Sequence, residues 1–305
     1  MGLSSVFISQ LLQIPVSAPA ELPRMAAGSG LLVGAGLSDV LLEAVRLLVI
    51  LLAPFVGFAI IIHWFERVTQ RRLAERFGWK SVLWTGWLGT PIHELSHAFM
   101  CRVFHHRVDE IVLFEPDRES GRLGYVRHSF KQGNWYQELG HLFIGVAPLL
   151  GGSIVLAILL WMFYYDAAWG AIEATRAEST TGAFEKIVLL IRSLVGNIIT
   201  IGNLATLRFW TFLYLVLCVG SHMAPSGSDY RGASRGVYLF GGILVLVVFV
   251  LALSGVNSAS MVDGMLGTMG PLFAIFGLTI VLCGITTAIV WVVTSFIPQR
   301  YRVSD

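Results

Sequence analysis

Charged residues are scarce in this 305-residue sequence, since Asp, Glu, Lys and Arg make up 13% of it where soluble domains carry roughly 25%. Hydrophobic residues make up 55% and fall in long blocks rather than at amphipathic spacing. So little charge leaves too little polar surface to cover a water-soluble globule of this size. The sequence therefore predicts an integral membrane protein and excludes an ordinary soluble enzyme.

Cysteine is also rare, and its three copies lie inside apolar segments: Cys101, Cys218 and Cys283. This placement predicts buried free thiols and excludes a disulfide framework. The net charge is only +2, and no RNA- or DNA-binding signature is present, so we expect no nucleic-acid partner. The start of the sequence lacks the basic stretch of a cleaved signal peptide, so we expect the first apolar span to remain as the insertion signal.

Six apolar segments are candidates for crossing a bilayer, which takes about 20 residues. They cover residues 42–64, 81–104, 138–163, 209–223, 236–254 and 271–296. We therefore predict an all-α polytopic membrane protein with about six transmembrane helices, built as a single domain over residues 1–305.

The segments between the predicted spans are polar. Residues 1–40 contain several Pro, Gly and Ser and are expected to be loosely ordered or interfacial. Residues 66–80 carry five basic side chains and predict a short surface helix. Residues 164–207 predict a loop that contains an amphipathic stretch at 187–204.

One polar insertion, residues 105–136, has strand character. Residues 108–114 and 123–126 are rich in strand-forming types, and turn-forming residues lie between them. The pattern predicts a small β-hairpin between the second and third spans. An unpaired strand of this hairpin could hold an extended peptide by strand addition.

The motif His-Glu-Leu-Ser-His at residues 93–97 lies inside the second predicted span. Positions four apart lie on one face of a helix, so His93 and His97 can bind one tetrahedral Zn²⁺. Glu94 lies beside them and is predicted to take a proton from the zinc-bound water as the general base. Ionisable residues inside a span are costly and usually functional, although polar residues lining a helix contact or a proton path are the alternative.

A catalytic zinc needs a third protein ligand and one open position. Asp229, in the polar turn after the fourth span, is our first candidate, with His222 second and His141 third. Asp229 could instead cap a helix or orient another ligand, and each histidine alone could be an interfacial hydrogen-bonded residue.

These features resemble the site-2 protease family of intramembrane zinc peptidases. The similarity covers residues 81–235, which we interpret as a peptidase-like core. It consists of HELSH in an early span, the segment Ala147-Pro148-Leu149-Leu150-Gly151 in the next span, the hairpin at 105–136, and the turn with His222, Pro225 and Asp229. The resemblance implies that the 147–151 segment packs beside the active site and that the turn gives the third zinc ligand.

The sequence thus predicts an intramembrane zinc-dependent endopeptidase that cleaves a membrane or membrane-proximal protein. The alternative is a non-enzymatic membrane protein, such as a transporter or assembly partner, with a metal or proton site. We expect a multi-pass protein of the bacterial inner membrane with the hairpin and the C-terminus in the cytoplasm. This orientation puts the basic segment 66–80 outside, against the positive-inside rule. The substrate and the oligomeric state stay open.

Overall fold

The computed structural model describes residues 37–177, 183–254 and 258–301, so the predicted N-terminal segment lies largely outside the described residues. The described residues form eight helices and two strands. In chain order they are α1 (Leu37–Phe77), α2 (Lys80–Val103), β1 (Arg107–Val112), β2 (Tyr125–Ser129), α3 (Trp135–Ala177), α4 (Ala183–Ile198), α5 (Ile201–Leu204), α6 (Leu207–Gly220), α7 (Gly227–Ser254) and α8 (Ser258–Ser295).

The chain divides into two compact units. One consists of residues 1–54 and 240–274, and the other of residues 55–239 and 275–305. All the side chains described below belong to the second unit, which contains the whole of α2, the hairpin, α3 and α6.

Three described helices are long and apolar enough to cross a membrane, and they indicate a membrane protein. Their candidate spans are Val45–Phe77, Trp135–Gly170 and Leu272–Ser295, which match the predicted spans at 42–64, 138–163 and 271–296. The other three predicted spans lie mostly in helices but are not among the candidate spans found in the described residues, so six spans are not established. For example, α6 has 14 residues, which at 1.5 Å each extend only about 21 Å.

Two predicted connections are helical instead. The basic segment 66–80 is not a separate surface helix, because α1 continues unbroken to Phe77. The predicted loop starting at residue 164 is helical as far as Ala177, after a kink at Tyr164 with φ −139° and ψ 50°. In both places polar side chains begin where the apolar run ends. A helix can continue from an apolar into a polar stretch, because its backbone hydrogen bonds do not depend on which side chains are exposed. The amphipathic stretch at 187–204, expected within this loop, is helical over most of its length, in α4 and α5.

The predicted β-hairpin is confirmed. Strands β1 and β2 pair antiparallel, from Arg107 opposite Ser129 to Val112 opposite Tyr125, with an irregularity between Val108 and Glu110. The segment between the two strands packs against α2. Gly124 lies against Thr90 of α2, and a Cβ on Gly86 of α2 would meet the side chain of Leu123. The hairpin therefore lies along α2 close to the HELSH motif.

The C-terminal segment contacts the basic end of α1. The backbone N–H groups of Arg300 and Tyr301 both donate to the carbonyl oxygen of Glu75, each at 3.1 Å. The expected topology put residues 66–80 and Arg300 on opposite sides of the membrane, and this expectation is wrong.

Small residues let neighbouring elements approach α2 and α3 closely. A Cβ on Gly89 of α2 would collide with the carbonyl oxygen of Cys218 and lie 2.8 Å from the Cβ of His222. A Cβ on Gly145 of α3 would lie 2.8 Å from the carbonyl oxygen of Asp229. These two glycines let the turn after α6 approach α2, which carries the HELSH motif, and let the start of α7 approach α3.

Candidate metal centre

The two histidines of HELSH lie on one face of α2. Their ring centroids are 4.8 Å apart, and the Nε2 atoms of His93 and His97 are separated by 3.1 Å. His97 is buried, with 6% of its surface exposed, and His93 is partly buried. The predicted helical spacing therefore brings both imidazoles to one point.

A backbone carbonyl fixes the tautomer of each imidazole. The Nδ1 of His93 is 2.7 Å from the carbonyl oxygen of His222, and the Nδ1 of His97 is 2.8 Å from that of Ile144. A carbonyl oxygen only accepts hydrogen bonds, so both Nδ1 atoms must carry the proton. In the neutral rings each Nε2 is then left with a lone pair, which is the atom and state that a metal requires.

Asp229 is the third residue at this point. Its Oδ1 lies 3.4 Å from the Nε2 of His97, and its Oδ2 lies 3.7 Å from the Nε2 of His93. Asp229 belongs to the first turn of α7, where the backbone N–H and the hydroxyl of Ser226 donate to Oδ2 at 2.6 and 2.7 Å. The capping role considered for Asp229 is thus present, and it holds the carboxylate in place beside the imidazoles.

The surroundings keep the Asp229 carboxyl ionised. Burial by itself raises the pKa of this group, but the adjacent imidazoles of His93 and His97 and the Ser226 hydroxyl outweigh it, so the pKa falls below its usual range. An anionic oxygen therefore faces the two imidazoles at neutral pH.

Among the described residues, His93, His97 and Asp229 form the one group of this kind whose ligand atoms could hold a metal ion. Tetrahedral zinc, with bonds of about 2.0–2.2 Å, sets its ligand atoms about 3.3–3.6 Å apart. The two Nε2 atoms are 3.1 Å apart, and Asp229 approaches His97 through Oδ1 at 3.4 Å and His93 through Oδ2 at 3.7 Å. With one ligand atom from each residue, all three atoms lie within 4.8 Å of one another. Without a cation, two Nε2 lone pairs and a carboxylate would face one another at these distances.

Glu94 lies next to this group in the sequence and is also buried, with 7% of its surface exposed. No hydrogen bond or ion pair engages its carboxylate within the described part of the chain. A buried carboxylate without a structural partner is costly, and it remains available to exchange a proton with a bound molecule.

His222, the second candidate for the third ligand, is placed differently. Its ring Nε2 lies 3.3 Å from the Nε2 of Gln70, and its Nδ1 faces the carbonyl oxygen of Cys218 at 3.2 Å. Its ring is not part of the converging group. The contribution of His222 to the centre is its backbone carbonyl, which accepts the hydrogen bond from His93.

His141, the third candidate, belongs to a separate cluster of histidines next to the hairpin. Its ring centroid lies 5.1 Å from that of His106 and 6.1 Å from that of His128. The Nε2 of His106 donates to the carbonyl oxygen of Gln137 at 2.8 Å, so its Nδ1 accepts from the Nδ1 of His128 at 3.0 Å. His106 and His128 are thus paired with each other, the buried Nε2 of His141 has no hydrogen-bond partner, and none of the three belongs to the converging group.

Two residues of α1 hold the turn between α6 and α7, which leads to Asp229, and neither of them was identified from the sequence. Glu66 accepts a hydrogen bond from the backbone N–H of Ala224 at 2.9 Å, and Gln70 donates to the carbonyl oxygen of Ser221 at 3.0 Å. The available signal was their spacing of four residues at the end of an apolar helix, which places both on one face.

The resemblance implied that residues 147–151 pack beside the site, and a Cβ on Gly151 would indeed collide with the hydroxyl of Ser96 in the HELSH motif.

Comparison of the chain with family models, with curated proteins and with solved structures finds no match.

Proposed function

We propose that this protein is an intramembrane zinc-dependent endopeptidase, with His93, His97 and Asp229 as metal ligands and Glu94 as the general base. The observation that carries the proposal is the arrangement of His93 and His97. Their Nε2 atoms lie 3.1 Å apart, and the Nδ1 of each ring donates its proton to a backbone carbonyl. Two imidazoles with a carboxylate beside them can bind a cation, and they are the ligand types that catalytic zinc sites use.

The chemistry assigned to the centre is hydrolysis of a peptide bond. Zinc bound there would act as a Lewis acid that lowers the pKa of water and polarises a substrate carbonyl. Glu94 would accept the proton released from the attacking water and pass it to the departing amine. Ser226 and the carbonyls of His222 and Ile144 would keep the ligands oriented while the substrate changes.

The substrate we propose is an extended segment of a membrane or membrane-proximal protein. The hairpin lies along α2, and its two strands pair only with each other within the described residues. Each strand thus has an outer edge that could accept a peptide by strand addition.

We place the protein in the inner membrane of a bacterium as a multi-pass protein, with the C-terminal segment and the adjacent basic end of α1 in the cytoplasm, as the positive-inside rule favours.

The alternative is a membrane protein that uses the same centre to carry a proton or metal. In that case a proton shared by the two Nε2 atoms would serve in place of zinc. The peptidase is favoured because Glu94 is buried beside the centre without a structural partner, which proton sharing between His93 and His97 does not require.

The experiment that tests the proposal compares cells expressing the wild type with cells expressing Glu94→Gln. New N-termini of membrane proteins, mapped by mass spectrometry, should appear with the wild type and disappear with Glu94→Gln, although both purified proteins retain zinc. Glu138→Gln, on the neighbouring helix and outside the metal group, is the matched control and should behave as the wild type. Identical sets of N-termini in wild type and Glu94→Gln would rule out hydrolysis.

A further inference from the structure

A groove between α1 and α8 lies apart from the candidate metal centre and has no part in the proposed reaction. Its volume is about 740 Å³. Both of its helices contain candidate membrane spans. Its walls are largely apolar and include Trp64, Phe65 and Val68 from α1 and Ala288, Trp291 and Val292 from α8. Trp64, Trp291 and Val292 are each about half exposed, as side chains that face lipid would be.

One end of the groove is basic. Arg71, Arg72 and Arg76 line it together with a single acidic residue, Glu75, which leaves a net charge of +2. Glu75 forms an ion pair with Arg71 at 3.0 Å. The guanidinium of Arg72 lies over the ring of Trp291 at 5.3 Å, and the Nε of Arg76 is buried without a hydrogen-bond partner. Neither Arg72 nor Arg76 forms an ion pair with a carboxylate in the described part of the chain.

Direct contacts between the two helices fix the width of the groove. The buried hydroxyls of Thr69 and Thr287 are hydrogen-bonded at 2.9 Å, and a Cβ on Gly284 would lie 3.2 Å from the ring of Phe65. At the basic end, the hydrogen bonds from Arg300 and Tyr301 to Glu75 hold the C-terminal segment against α1. The groove is therefore part of the folded structure and needs no rearrangement to accept a ligand.

We propose that this groove binds an anionic phospholipid, with its acyl chains along the apolar walls and its phosphate at Arg72 and Arg76. Guanidinium groups bind phosphate through charge-assisted hydrogen bonds, and unpaired arginines at the end of a membrane span lie at the depth of lipid phosphates. A zwitterionic lipid would bring its own cation towards the same arginines. A free phosphate ester would leave the apolar walls unused.

This site also explains the basic segment that the sequence could not assign. Residues 66–77 continue a helix that contains a candidate membrane span, and part of their charge faces the groove rather than the aqueous phase. Arg67 of the same segment does not line the groove, and its guanidinium lies 3.0 Å from the Nε2 of His63. It provides a matched control for the two arginines assigned to the phosphate.

Native mass spectrometry of the delipidated full-length protein in detergent tests the proposal. The probes are dioleoyl phosphatidylglycerol, dioleoyl phosphatidylcholine, inorganic phosphate and the soluble headgroup glycerophosphoglycerol. We expect phosphatidylglycerol to bind at least about tenfold more tightly than phosphatidylcholine. Replacing both Arg72 and Arg76 by Gln should weaken phosphatidylglycerol binding about 25-fold, since each arginine near a lipid phosphate contributes about fivefold. Arg67→Gln should leave binding within about twofold.

A second variant tests the apolar part of the groove. Ala288 is exposed in the groove, so Ala288→Phe should fill the space and weaken lipid binding without disturbing the core. Equal binding of the two lipids, wild-type binding by the double arginine variant, or full competition by the soluble headgroup would each overturn the proposal. Unchanged thermal unfolding of each variant in detergent shows that it is folded, so that a loss of binding reports on the groove.

Discussion

The carboxylate of Glu66 in α1 accepts a hydrogen bond from the backbone N–H of Ala224 at 2.9 Å, although 158 residues separate the two along the chain. Ala224 lies in the turn between α6 and α7. Two residues before it, the carbonyl of His222 accepts the proton of His93, and five residues after it Asp229 faces both imidazoles. Glu66 thus holds the segment that both orients one ligand and supplies another.

Removing this acceptor should weaken metal binding without removing a ligand. We predict that Glu66→Ala lowers zinc affinity about tenfold, the lower end of the effect of losing a group that orients a metal ligand. Glu66→Gln keeps an oxygen that can accept the Ala224 N–H, so its zinc affinity should stay near that of the wild type. Zinc titration with a competing chelator measures both. Equal affinities in Glu66→Ala and the wild type would show that the turn holds its shape unaided.

Close packing at Gly89 should make this position intolerant of any side chain. We predict that Gly89→Ala destabilises the protein by about 1–3 kcal/mol, because its Cβ would collide with the carbonyl oxygen of Cys218 at the end of α6 and crowd His222 in the turn that follows. Gly57 of α1 is the matched control, since nothing lies within 4 Å of the added Cβ. Gly57→Ala should be neutral or stabilising by about 0.5–1 kcal/mol. Thermal unfolding in detergent compares them, and equal effects at the two positions would contradict the packing described here.

The hairpin should lose stability in mild acid through His128. Burial, together with the neighbouring imidazoles of His106 and His141, lowers the pKa of His128 from 6.5 to about 4. Between these values the unfolded chain binds a proton that the folded chain does not, so stability falls as the pH falls from 6.5 towards 4. We predict that the melting temperature drops between pH 7 and pH 5.

Replacing His128 tests the origin of this acid sensitivity. His128→Gln should show a smaller drop in melting temperature between pH 7 and pH 5 than the wild type. His105→Asn, an exposed neighbour whose φ of 57° asparagine tolerates, is the control and should keep the wild-type drop. If His128→Gln responds to acid as the wild type does, the sensitivity lies elsewhere.

Much of the local structure could be predicted from the sequence because it depends on short-range patterns. The spacing of His93 and His97 is a property of one helix, and the hairpin follows from strand-forming runs around a turn. Chemistry and position make Asp229 the first candidate for the third metal ligand, and the structure brings it beside both imidazoles. The role of His222 was not foreseen, because the contributing atom is a backbone carbonyl and every residue has one.

The topology could not be predicted in the same way. Apolar length alone does not establish a crossing, as the 14-residue helix α6 illustrates. Polar residues do not always mark helix ends either, because α1 continues through Glu66 and Gln70. These two polar side chains belong to a membrane helix because they bind backbone groups of a turn far away in the sequence. Such long-range partners leave no periodic signal.

The central claim is that His93, His97 and Asp229 bind zinc, and metal analysis of the purified protein tests it most directly. By inductively coupled plasma mass spectrometry, the wild type should contain one zinc per chain, and the double variant His93→Ala, His97→Ala should contain none. Asp229→Asn should lose most of the zinc. His222→Ala, which keeps the backbone carbonyl that holds His93, should retain it. Zinc content that is unchanged in the double histidine variant, or lost in His222→Ala but kept in Asp229→Asn, would contradict the account.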